Sequence, residues 1–68
     1  MMNSQEYRNA IAALDLSQVR AAHLLGVDAR TSRRWATGER PVPDTVVRFL
    51  RLVMALRMTG EDAIALLG

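Results

Sequence analysis

The apolar residues of this 68-residue chain recur at helical spacing, and this pattern constrains the fold more than any other feature. Tyr7, Ile11 and Leu14 are separated by four and then three residues, as on one face of a helix. No segment alternates apolar and polar residues in the way that a half-buried strand does. A chain this short holds one small domain. We therefore predict a single all-α domain over residues 1–68, built from four to five short helices.

Glycines and capping residues place the second and third helices. Ser17 is a preferred N-cap, and Gly26 suits the left-handed residue that closes a helix, so the second helix covers the residues between them. Asp28 is the expected N-cap of a third helix that runs to about Thr37, before Gly38.

Capping boxes indicate where the first and last helices begin. Asn3 or Ser4 can cap the first helix, and Glu6 stands in the capping-box position relative to Asn3. Thr59 with Asp62 forms a similar pair ahead of the last helix.

The fourth helix is predicted to follow Pro43, which is placed at its first helical position, with Asp44 in the first turn. Two apolar rows continue from there as far as Arg57, and a last short helix covers Ala63 to Leu67. One row contains Val46, Val47, Leu50, Val53 and Met54, and the other contains Phe49, Leu52 and Leu56.

The residue inventory excludes several classes of protein. The chain has no cysteine and a single histidine, His23, so we expect no metal site, no cofactor and no catalytic centre. The most apolar stretch, Val42 to Met58, is interrupted by four charged residues and is not a membrane span: Asp44, Arg48, Arg51 and Arg57. The N-terminus has no signal-peptide pattern. We expect a soluble, cytoplasmic protein that is not an enzyme and binds no small-molecule ligand.

The charge is weak overall but locally concentrated. Nine basic residues, all arginine, against seven acidic residues leave a net charge of +2. Between Arg30 and Arg40 there are also Arg33 and Arg34, with Glu39 as the one acidic residue. Such a cluster is a candidate phosphate-binding patch, and the alternative is a solvated helix face.

Two short helices joined by a tight turn that contains glycine are the physical description of a helix-turn-helix, which here covers about residues 17–38. Small side chains such as Ala22 let the two helices approach closely. Val27 can fill the angle between them, and Trp35 can anchor the third helix to the core.

The segment LSQVRAAHLLGVDARTSRRWATGERPVP, Leu16 to Pro43, resembles the Cro/lambda-repressor-like, or XRE-type, helix-turn-helix DNA-binding family. The residues that match the pattern of that family are Gln18, Ala22, Gly26, Val27, Trp35 and Gly38. Two positions depart from it. Ser32 stands where an Ile or Val is usual, and Ala21 stands where a larger aliphatic residue is common. Because both side chains are smaller than usual, we expect less core volume under the third helix. Alternatively, Ser32 is an additional DNA contact.

The resemblance implies that the third helix enters the DNA major groove. The base-reading positions it implies are Ala29, Arg30 and Arg34, with the two arginines suited to guanine and the alanine to a thymine methyl group. Helical spacing puts Arg30 and Arg34 on one face and Arg33 off that axis. The phosphate contacts expected from the resemblance are Ser17, Gln18, Thr31, Arg33 and Arg40.

Relatives of this size mostly bind DNA as dimers, so the resemblance also implies a possible homodimer. The surplus apolar residues of the last two helices are its candidate interface: Phe49, Leu52, Leu56, Ile64, Leu66 and Leu67. Alternatively, these side chains close the core of the monomer.

Double-stranded DNA is thus the expected partner, and the expected function is that of a transcriptional regulator, a repressor, of bacterial or phage origin and associated with the nucleoid. The rival interpretation is a protein-interaction module, of antitoxin or adaptor type, that kept the fold without specific DNA binding. A third interpretation is that residues 42–58 form a basic amphipathic helix that binds membrane surfaces. The arginines of this segment are spread around the helix and not gathered on one polar face, which argues against it.

Overall fold

The computed structural model describes residues 2–68, which form five helices and no strand, so the all-α prediction is confirmed. The helices are α1 (Ser4–Ala13), α2 (Gln18–Leu25), α3 (Ala29–Thr37), α4 (Asp44–Ala55) and α5 (Gly60–Leu67). Helix α3 packs against both α1 and α2, and α5 packs against α2. The molecule measures 29 × 21 × 18 Å along its principal axes. Its described part has no helix that is both long and apolar enough to cross a membrane.

The predicted helix ends are confirmed wherever a local capping interaction defines them. The side chains of four N-cap residues each accept a hydrogen bond from a backbone N–H of the first turn: Asn3, Ser17, Asp28 and Thr59. Gly26 and Gly38 close α2 and α3 in the left-handed conformation, with φ of 71° and 81°. Both capping boxes are present, those of Asn3 with Glu6 and of Thr59 with Asp62.

The boundaries of α4 and α5 differ from the prediction. Pro43 is the N-cap of α4 and not its first helical residue. Helix α4 ends at Ala55, because Arg57 adopts a left-handed conformation with φ of 58° and turns the chain back. The turn lets the half-buried Met58 pack against the core, and α5 then begins at Gly60, before the predicted Ala63.

The core is apolar except for two hydroxyl groups. The predicted α1 face is buried, since Tyr7, Ile11 and Leu14 are all at most 5% exposed. The ring of Tyr7 lies 5.7 Å from that of Trp35 in a T-shaped arrangement with an interplanar angle of 79°. Leu50 of α4 completes the centre of the core, with no exposed surface. Helix α3 is therefore held to the rest of the molecule along one side.

Candidate nucleic-acid interface

The outer side of α3 forms an open concavity of about 360 Å³ that is lined mostly by guanidinium groups. Its lining residues are Arg30, Arg33, Arg34, Thr37 and Glu39. The structure thus brings Arg30 and Arg34 together, as their spacing predicts. Arg33 also lines this concavity.

A second open concavity, of about 290 Å³, adjoins the first through Arg34. Thr31 and Arg40, two of the predicted phosphate contacts, line it together with the proline-containing connector after α3. The backbone N–H of Arg40 donates to the carbonyl oxygen of Arg34 at 3.2 Å. This hydrogen bond holds the connector, and with it Arg40, beside α3.

Acidic side chains border the arginines of α3 at both ends of the helix. Arg34 Nε lies 3.8 Å from Glu39 Oε1, a long and solvent-exposed pairing that leaves the guanidinium group free to bind another anion. At the other end, Asp28 Oδ1 accepts from the backbone N–H of Thr31 at 2.7 Å. Hydrogen bonding by Thr31, from its side chain first and its backbone N–H second, holds the pKa of Asp28 below its ordinary value, with smaller contributions from the charges of Arg30 and Arg34.

The inner side of α3 is anchored by apolar and polar contacts. Trp35 and Ala36 are each 5% exposed. Arg8 of α1 donates from Nη1 to the carbonyl oxygen of Ala36 in the last turn of α3. The helix dipole also favours a cation at this end of the helix. Helix α3 therefore presents its arginines from a fixed position.

The packing of α2 on α3 agrees with the helix-turn-helix interpretation. Ala21 and Ala22 are buried, and their small side chains permit the close approach of the two helices. Val27, in the turn after Gly26, is half-buried and packs against the core. Ala29, the predicted contact to a thymine methyl group, is half-exposed at the start of α3.

Ser32 is completely buried, and the alternative that makes it an additional DNA contact is wrong. Its Oγ lies 2.7 Å from the hydroxyl oxygen of Tyr7 and donates to Gln18 Oε1 at 2.7 Å. The space that an aliphatic side chain would fill is thus occupied by a hydrogen-bonded group. No motif in the sequence points to this arrangement, because Tyr7 and Ser32 are 25 residues apart.

The start of α2 carries the remaining two predicted phosphate contacts. The Ser17 hydroxyl group accepts from the backbone N–H of Arg20 at 3.1 Å and is exposed. Gln18 is half-buried. Arg20 itself forms a bidentate ion pair with Glu61 at 2.9 and 2.7 Å, which ties α2 to α5 and was not predicted from the sequence.

A second surface, which we call the leucine patch, consists of exposed leucines on and directly after α4 and on α5. Its members, with their exposed fractions, are Leu52 (57%), Leu56 (59%), Leu66 (74%) and Leu67 (62%). They surround a small apolar cavity of about 110 Å³. Phe49 and Ile64 are half-buried and pack against the core. The alternative that all six residues close the monomer core is therefore wrong for the four leucines.

Within residues 2–68, no three His, Cys, Asp or Glu side chains come together in a group that could hold a metal ion. Comparison with known proteins finds no match to this chain among protein-family models, curated proteins or solved structures.

Proposed function

We propose that this chain is a sequence-specific DNA-binding transcriptional regulator, a repressor, that inserts α3 into the major groove. The observation that carries the proposal is the concavity on α3, in which Arg30, Arg33 and Arg34 converge. The buried Trp35 holds the opposite side of the same helix. A rigid helix with clustered guanidinium groups fits the geometry and the negative charge of a DNA groove. The resemblance to helix-turn-helix regulators points to the same function.

The proposal gives each side chain a role. Arg30 and Arg34 hydrogen-bond to the O6 and N7 atoms of guanine, and Ala29 contacts a thymine methyl group. The phosphate contacts come from α2, α3 and the connector that follows α3: Ser17, Gln18, Thr31, Arg33 and Arg40. The proposal includes no catalytic step, cofactor, metal ion or small-molecule ligand.

Fluorescence anisotropy tests the proposal directly. The labelled probes are the upstream DNA of the gene itself and a scrambled duplex of the same composition, at about 50 and 200 mM salt. Tight binding to the first duplex, with affinity for both duplexes falling steeply as salt rises, is the expected result. The absence of binding at either salt concentration contradicts the proposal and favours the protein-interaction module.

Two arginine variants separate base reading from phosphate binding. Arg34→Ala is expected to cost about 1–3 kcal/mol of binding free energy on the cognate site and to relax specificity at one base pair. Arg40→Ala is expected to weaken binding to all sequences alike and to lower the salt slope by about 1.

The matched control is Arg51→Ala, which removes an exposed arginine of α4 outside both concavities of α3. It should leave the specificity unchanged. If Arg34→Ala weakens all sequences alike while Arg40→Ala relaxes specificity, the assignment of roles is wrong.

We also propose a second copy of the chain as a partner. A domain this small covers little DNA, so two copies on two half-sites supply the area that specific binding needs. The leucine patch is the surface offered for this contact, since its four side chains are exposed in the monomer.

A further inference from the structure

Three helices meet at one chain of polar atoms beneath the proposed DNA-binding surface. Tyr7 of α1, Ser32 of α3 and Gln18 of α2 are linked by two hydrogen bonds of 2.7 Å each. The single hydroxyl proton of Ser32 is donated to Gln18 Oε1. Tyr7 must therefore donate its own proton to Ser32 Oγ. The resulting chain, which we call the hydroxyl relay, runs from the centre of the core to the start of α2.

Because the two hydroxyl groups are buried, each must keep its hydrogen-bond partner within the protein. Tyr7 and Ser32 have no exposed surface, so neither hydroxyl group can exchange its partner for water. Every fully buried side-chain nitrogen or oxygen in the described part of the chain has a hydrogen-bond partner. Burial also raises the pKa of Tyr7, and this effect exceeds the lowering by the bond to Ser32, so the phenol keeps the proton that it donates.

The far end of the relay determines the orientation of the Gln18 amide. With Oε1 held by Ser32, the Nε2 group is directed away from the relay, and within residues 2–68 it has no hydrogen bond to another residue. Gln18 is half-buried, so part of its side chain is accessible. An amide turned in this way keeps its oxygen on the Ser32 side and leaves two N–H donors on the other side, the polarity that suits a phosphate oxygen.

We propose that Tyr7 and Ser32 are positioning residues for DNA binding, which hold the Gln18 amide with its N–H donors toward a backbone phosphate. This inference rests on the proposed function, in which Gln18 is a phosphate contact. It adds that a core tyrosine and a buried serine, neither of which touches DNA, set the affinity for DNA through that contact.

The first test needs no DNA. Side-chain amide signals of Gln18 are compared by NMR in the wild-type protein, Tyr7→Phe and Ser32→Ala. In the wild type we expect resolved Gln18 Nε2 protons with restricted motion, and in Ser32→Ala shifts and dynamics typical of an exposed glutamine. If the Gln18 amide is equally ordered in Ser32→Ala, the relay does not orient it and the inference is wrong, whatever the protein binds.

The second test measures binding to a fluorescein-labelled duplex of mixed sequence, because a phosphate contact does not depend on the operator. Gln18→Ala is expected to lower affinity about tenfold and Tyr7→Phe about threefold. Neither should change the salt slope, since a neutral amide releases no counterion. Gln18→Glu keeps an acceptor for Ser32 but replaces the N–H donors with a carboxylate oxygen, so it should bind more weakly than Gln18→Ala.

A double-mutant cycle separates positioning from a general loss of structure. Tyr7→Phe should have no further effect on affinity when it is added to Gln18→Ala, because its effect passes through that amide. An equal threefold loss in both backgrounds, or wild-type affinity of Gln18→Glu, overturns the inference. A wild-type protein that binds no duplex overturns the proposed function, and it does so before any variant is compared.

Discussion

Asp28 shows how one side chain can serve both the fold and the proposed binding surface. It caps α3 through the backbone N–H of Thr31, and it lies close enough to Arg30 and Arg34 to be stabilised by their charges. Hydrogen bonding by the side chain and then the backbone N–H of Thr31 lowers its pKa more than these charges do. Because the cap defines the first turn of α3, its ionisation supports the helix that carries the arginines.

We expect Asp28→Asn to make the protein less sensitive to acid. The pKa of Asp28 in the folded protein lies below its ordinary value of 3.8, so its stabilising contribution is present above that pH and is lost as the pH falls through the lowered value. Asparagine caps a helix equally well but does not titrate. Urea denaturation at about pH 7 and about pH 3 measures the free energy of unfolding in each state.

Glu61 provides an independent second carboxylate for this comparison. Its pKa is also lowered, chiefly by the hydrogen bond to Arg20, so Glu61→Gln should remove a different part of the same acid response. An Asp28→Asn protein that loses as much stability as the wild type over this interval contradicts the prediction.

At the scale of whole elements, two helices end without the glycine that usually closes a helix. Asp15 after α1 and Arg57 after α4 are left-handed, with φ of 59° and 58°. In both turns the residue directly after the left-handed one closes the helix by a backbone hydrogen bond: Leu16 N–H donates to the Ile11 carbonyl oxygen at 2.9 Å, and Met58 N–H donates to the Val53 carbonyl oxygen at 3.4 Å. Any residue with a Cβ atom is strained in this conformation, and aspartate tolerates it better than arginine because its short polar side chain can hydrogen-bond locally.

We expect Arg57→Gly to stabilise the protein by about 0.5–1 kcal/mol, because glycine adopts a left-handed conformation without steric cost. The gain is smaller than the full strain, since glycine also makes the unfolded chain more flexible. Arg51→Gly, in the exposed middle of α4, is the control and should destabilise by about 0.5–1 kcal/mol. Thermal and urea unfolding measure both, and a destabilised Arg57→Gly would show that the turn carries no strain.

At the scale of the molecule, the surface divides into an arginine-rich part on α3 and the leucine patch of the α4–α5 region. The two are connected through the core and through the Arg20–Glu61 ion pair between α2 and α5. Exposed leucines that are adjacent on the surface are typical of an interface, whereas an isolated one is ordinary.

We predict that the wild-type chain is a dimer at tens of micromolar and that Leu66→Gln shifts it to the monomer. Leu66 is the most exposed leucine of the patch, so the substitution removes interface area without opening the core. Val19→Gln is the matched control, since Val19 is equally apolar and 63% exposed but lies on α2. Light scattering gives the mass of each protein, and a wild-type monomer mass contradicts the dimer.

The sequence by itself determined the features that depend on neighbours within one turn of helix. The all-α class, the N-caps at Ser17 and Asp28 and the glycine ends of α2 and α3 follow from hydrogen bonds and backbone preferences that span three or four residues. The same locality let the spacing of Arg30 and Arg34 predict that they share a face.

Only the tertiary structure decided the features that join distant parts of the chain. Helix α4 ends at Ala55 because Met58 packs against the core, although no glycine marks the place. Ser32 became part of a relay because Tyr7 and Gln18, which lie 25 and 14 residues away, meet it in the core. Such contacts depend on how the helices pack. A buried polar group without a hydrogen bond costs free energy, so it is paired with whichever group the packing brings close, and no local sequence pattern reveals that group.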